Sequence, residues 1–134
     1  MKNLFLFAFL AGIAFVLSSC EKNELTINED SDSLNAQVTI IVQNIQGEPV
    51  KNVEVKMLDS AVTQSGSFTV LESENSNDEG KAIFDLESYV NGTSQTFHFA
   101  VFRETQTGLE LRGQREVQGI TQGKQITANL VLLN

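Results

Sequence analysis

Cysteine, proline, histidine and tyrosine each occur once in these 134 residues, as Cys20, Pro49, His98 and Tyr89. One cysteine excludes an intrachain disulfide, and with one histidine neither a Cys/His nucleophilic pair nor a two-histidine metal centre can be assembled in a single chain. Basic residues are scarce, 9 against 17 acidic ones, for a net charge of −8. Nucleic acid or an anionic lipid surface would therefore be approached against charge repulsion. The glycines are dispersed, so no phosphate-cradling cluster exists. After residue 20 no stretch of ten or more residues repeats with a helical period. Crossover helices are thus not expected, nor is the parallel sheet they would build.

What is present is concentrated first at the start. Lys2 precedes an unbroken apolar run of 14 residues, Leu4 to Leu17, followed by Ser18, Ser19 and Cys20. The run is short of the roughly 20 residues that cross a bilayer, and it has the length and basic flank of an export signal. Leu17-Ser18-Ser19-Cys20 resembles the bacterial lipobox, which implies removal of residues 1–19 and acylation of Cys20 as the new N-terminus. The competing reading is a plain secretory signal that leaves Cys20 a free thiol. Lipidation accounts better for an odd cysteine in an oxidising compartment, and several palmitate-type chains on one residue make a lasting membrane anchor. Loss of Lys2 takes the net charge to −9. The charged stretch from Glu21 to Glu24 resembles envelope sorting signals, and the outer membrane is the expected location.

Residues 20–36 hold Glu21, Glu24, Glu29, Asp30 and Asp32 against Lys22 alone. Such a segment cannot bury enough surface to offset its ordering entropy and reads as a flexible acidic linker. From Gln37 onward the signal is alternation with period two. Val38, Ile40 and Val42 form one run, Val53, Val55 and Met57 a second, Phe68 and Val70 a third. Glu72 to Gly80 reads as a polar loop. Ala82, Phe84 and Leu86 follow, then Phe97, Phe99 and Val101, then Leu109 and Leu111, and last Ile126, Ala128, Leu130 and Leu132. About seven strands over residues 37–134 predict one all-β domain, an antiparallel two-sheet sandwich.

Two stretches carry a family resemblance. Gly47-Glu48-Pro49-Val50 with Val53 and Val55, and later Asp78-Glu79-Gly80-Lys81-Ala82 with Phe84, resemble bacterial immunoglobulin-like and prealbumin-like sandwich modules. These include the carboxypeptidase regulatory-like and collagen-adhesin B-type domains. The resemblance implies a non-catalytic role as stalk, adhesin or accessory subunit. No Lys, Asn and buried acid map here as an isopeptide-forming set.

The candidates for chemistry are few. His98 could in principle serve a Ser-His-Asp triad, but between Phe97 and Phe99 it reads as a sheet-surface residue. Glu72, Glu74, Asp78 and Glu79 could gather calcium, yet their spacing is not that of an EF-hand and a solvated loop explains them. Asn91-Gly92-Thr93 is a glycosylation sequon that reads better as a turn. Asp32-Ser33-Leu34 and Asp59-Ser60-Ala61 fit a loose O-glycosylation pattern. Tyr89 could tie a strand entry to the backbone. Against the strand parity, Ile41, Ile83, Phe102, Val131 and Leu133 fall on the side opposite the expected core. Single exposed apolar residues are ordinary, but several on one face would make an interaction surface, and Phe102, Val131 and Leu133 are its candidates. The sequence thus predicts a lipid-anchored envelope module with no catalytic residues, metal or cofactor, held to the membrane through Cys20 and contacting a protein or glycan. An inhibitor or accessory subunit of an envelope complex is the alternative, and a hydrolase is the contrasting class.

Overall fold

The computed structural model describes residues 35–134, so Cys20, Ser33 and the leader lie outside the described residues. Seven strands follow one another with no helix between them: β1 (Gln37–Gln43), β2 (Glu54–Leu58), β3 (Val70–Asn75), β4 (Lys81–Asp85), β5 (Gln95–Thr105), β6 (Gly108–Ile120) and β7 (Gln125–Val131). They form two sheets, one of three strands in the order β4-β1-β7 and one of four in the order β3-β2-β5-β6. The expected all-β sandwich is what the chain builds.

Alternation decides the inner faces. Val38, Ile40 and Val42 of β1 and Ala82 and Phe84 of β4 meet Val55 and Met57 of β2 and Phe97, Phe99 and Val101 of β5 in one buried cluster. Phe84 and Phe99 join the sheets, their ring centroids 5.0 Å apart. Ala36, placed by composition in the linker, belongs to this cluster; its amide donates to the Glu87 carboxylate and its carbonyl accepts from Leu86. Three residues past Leu86, the Tyr89 hydroxyl donates to the Leu71 carbonyl of the other sheet, the strand-tying role its position suggested.

The two turn motifs pack against each other. Gly80 has a φ of +75°, and a Cβ there would lie 2.7 Å from the Val42 carbonyl oxygen and 2.9 Å from Pro49. Only glycine allows that approach. Beside it the buried Ser76 hydroxyl donates to the Val50 carbonyl and accepts from the Val53 amide. The chain between β1 and β2 is thereby fastened to the turn before β4.

Three expectations need correction. The β1–β7 pairing is parallel, Gln37 opposite Gln125 through Gln43 opposite Val131, while the other ladders are antiparallel. These two strands are the first and last of the domain, so the rest of the sandwich supplies the crossover and no helix is required. The stretch read as a loop from Glu72 is strand as far as Asn75, pairing Glu74 with Val55 and Glu72 with Met57. Its acids disguise it because it is an edge strand, where inward-pointing charge is tolerated and guards against further pairing. Phe68 lies outside the strands, in the segment that joins β2 to β3.

Candidate interaction face

The outward residues of the three-stranded sheet are Gln37, Thr39, Ile41 and Gln43 on β1, Lys81, Ile83 and Asp85 on β4, and Gln125, Thr127, Asn129 and Val131 on β7. Register places the apolar ones in a line. Ile83 stands opposite Thr39 and therefore diagonal to Ile41, and Val131 stands opposite Gln43, diagonal to Ile41 on the other side. Ile83 is 46% exposed and Val131 42%. The diagonal Ile83, Ile41, Val131 crosses a field of threonine and amide side chains whose only charges are Lys81 and Asp85. Lys81 is already engaged with Glu79 at 2.7 Å. The Asp85 carboxyl is held below its ordinary range by the Glu87 amide and then by Asn35. In so acidic a chain this is a face almost free of net charge, and depletion of charge with retention of apolar side chains is the signature of a buried interface centre.

The candidate residues from the sequence do not all meet there. Val131 does. Leu133 lies just past it, 62% exposed, where the chain end turns toward β6. Its amide donates to the Arg112 carbonyl at 2.7 Å, and its carbonyl accepts the Arg112 guanidinium through Nε at 2.7 Å. Phe102 is elsewhere, on the outer face of the four-stranded sheet. Its ring stacks on Phe68 at 5.5 Å between centroids.

That stack is part of a strap the sequence did not reveal. Residues 59–69 leave β2 and cross over the outer face of the four-stranded sheet. The Val62 amide donates to Gln114 on β6. The strap's ends are tied where the Thr69 amide donates to the Asp59 carboxylate and the Ser60 hydroxyl donates to the Ser67 carbonyl. Thr69 first and Ser60 next hold the Asp59 carboxyl below its ordinary range. Leu58 and Ala100 are fully buried although they stand outside the main cluster, as residues beneath such a cover would be. In the sequence Phe68 alternates with Val70 as a strand run would, and nothing there marks the strap.

The remaining candidates are placed as follows. His98 is half-buried on the outer face of the four-stranded sheet, opposite Leu58 and Glu116. Its Nδ1 is 3.9 Å from the Glu116 carboxylate. Among the described residues no serine hydroxyl is hydrogen-bonded to it. Glu72 and Glu74 point inward at the β3 edge, while Asp78 and Glu79 sit in the following turn. Among the described residues no group of three His, Cys, Asp or Glu side chains is disposed to hold a metal ion. Asn91 and Gly92 lie in the β4–β5 turn, with Gly92 at φ +81° and the Asn91 side-chain Oδ1 accepting from the Gln95 amide and the Thr93 hydroxyl.

No protein-family model matches this chain, and no curated protein matches it. Among solved structures, a 9R-lipoxygenase from Cyanothece PCC8801 aligns with 76% of this chain and 16% of its own length, at 13% identity and a TM-score of 0.49. The chain therefore spans less than a fifth of that protein, and a likeness of this degree says nothing of its activity.

Proposed function

We propose that the protein is a lipid-anchored bacterial envelope module that works by contact and carries no catalysis. Acylated Cys20 would hold it to the membrane, with the acidic segment ahead of Asn35 as its tether. The observation that carries the contact role is the diagonal of Ile83, Ile41 and Val131 on a face bearing one lysine and one acid. Leu133, exposed at the margin of that face, extends it. Phe102, stacked under Phe68, contributes to holding the strap on the opposite sheet, so the surface is centred on β7 and β1.

Replacing Val131 and Leu133 with Thr keeps strand propensity while removing apolar area. At about 25 cal/mol per Å² this should weaken an interface by about 1 to 3 kcal/mol. Crosslinking in intact membranes should recover a partner with the wild type and much less with the Val131→Thr/Leu133→Thr double variant, the two melting alike. Equal recovery would remove the surface from consideration. A measurable hydrolysis abolished by His98→Ala would overturn the non-catalytic reading.

A further inference from the structure

We infer that the free edge of β7 pairs with β7 of a second copy of this chain, antiparallel about a twofold axis at Thr127, so that the two three-stranded sheets become one sheet of six. This goes beyond the contact role proposed above: it uses the edge beside that face, leaves Ile83 and Ile41 open to the face's own partner, and adds a second contact.

Four strands lie at sheet edges: β4 and β7 in one sheet, β3 and β6 in the other. Three carry charge on the strand itself: Lys81 and Asp85 on β4, Glu72 and Glu74 on β3, Glu110, Arg112, Arg115 and Glu116 on β6. Charge at an edge discourages pairing with another chain. The sequence of β7, Gln-Ile-Thr-Ala-Asn-Leu-Val, has no charge and no proline. Among the described edge strands it is the one with no ionisable side chain, so pairing there takes no charge out of water.

The backbone of that edge is available. The Lys124 carbonyl accepts from Gln37, and the Leu132 amide donates to Gln43, so even-numbered residues of β7 turn their groups toward β1. Odd-numbered residues turn theirs outward, as Leu133 does toward Arg112. Near Val131 the edge is closed by β6, since a Cβ on Gly113 would lie 2.5 Å from the Val131 carbonyl oxygen. From Gln125 to Asn129 no strand among the described residues pairs with it. The inward side shows the same opening. Ile126 and Ala128 are only partly buried, whereas Val38, Ile40 and Val42 of doubly flanked β1 are fully buried.

The strand is also complementary to itself. An antiparallel register centred on Thr127 sets Thr127 opposite its counterpart and Gln125 opposite Asn129, all of them residues whose backbone groups face outward. On the inner side it sets Ile126 opposite Ala128, a large residue against a small one, and covers both. Cross-strand pairs of this kind are the unit of sheet stabilisation.

The test uses the full acylated chain in its membrane, with the Cys20-only wild type as background. Directly paired hydrogen-bonded residues of antiparallel strands have Cα atoms about 5.5 Å apart, within disulfide range. Mild oxidation of Thr127→Cys should shift the protein to a disulfide-linked dimer on a non-reducing gel. Gln125→Cys and Asn129→Cys should each stay monomeric alone and link when co-expressed. Thr127→Pro removes an outward amide and leaves the β1 ladder intact, so it should melt like the wild type while detergent-solubilised protein shifts from dimer to monomer mass. No link at Thr127→Cys, equal linking at all three positions, or a link from Thr127→Cys to a different protein would each overturn self-pairing. If the dimer fails to form while Val131→Thr/Leu133→Thr still loses its partner, the contact role of the face stands and only self-pairing through β7 falls.

Discussion

Single residues set the tolerances of this sandwich. Gly113 has no unusual backbone angle, yet its Cα lies so close to β7 that a Cβ would meet the Val131 carbonyl oxygen at 2.5 Å and Leu130 at 2.9 Å. The obstacle is backbone, which cannot swing aside. Gly113→Ala should therefore cost about 1 to 3 kcal/mol as an overpacking change, read as a lower denaturation midpoint with an unchanged m-value. Glu72 gives a pH signature. Burial first, then Glu74 and Asp85, raise its carboxyl above the ordinary 4.5. A raised carboxyl means that ionising it is harder in the folded chain than in the unfolded one, so the charge works against the fold above that range, and the penalty disappears where both states are protonated. Glu72→Gln should raise the melting temperature at about pH 7 and leave it unchanged at about pH 3; a larger gain in acid would reverse the assigned sign.

At the scale of elements, the strands with one wet face were legible, because Val38, Ile40 and Val42 or Phe97, Phe99 and Val101 must alternate to reach the core. β3 was not, because Glu72 and Glu74 take inward positions at an open edge, and periodicity cannot separate guarded edge from loop. The parallel partner of β1 was equally hidden, since nothing local in Gln125 to Val131 records which strand lies beside it. The strap over residues 59–69 escaped for a different reason: its structure comes from side-chain to backbone bonds at Asp59 and Ser60 and from one ring stack, none of which has a period. That composition implies an element of low local stability. Phe68→Ala should accelerate amide exchange and proteolytic nicking within residues 59–69. The core cluster, in which Phe68 takes no part, should keep its protection, and equal loss of protection in β1 would show the strap to be part of the cooperative unit.

For the whole molecule, the candidate surface was half visible in the sequence. Parity singled out Ile41, Ile83, Val131, Leu133 and Phe102, but only the register could show that the first three share a face and that Phe102 serves the opposite one. Because Ala36 is in the core, a chain beginning at Asn35 should keep the full melting transition, and one beginning at Val38 should lose stability with the Ala36 and Gln37 contacts; calorimetry of the two separates tether from domain. Anchoring is checked by fatty-acid labelling, which should mark the wild type and not Cys20→Ala. The contact role itself is tested most directly by a photo-activatable side chain placed singly at Ile41, Ile83 and Thr127 on the three-stranded sheet and at Lys56, Ser73 and Glu116 on the other, in cells. The account predicts discrete adducts from the first three positions and none from the second three. Adducts confined to the four-stranded sheet, or absent from every position, would contradict it.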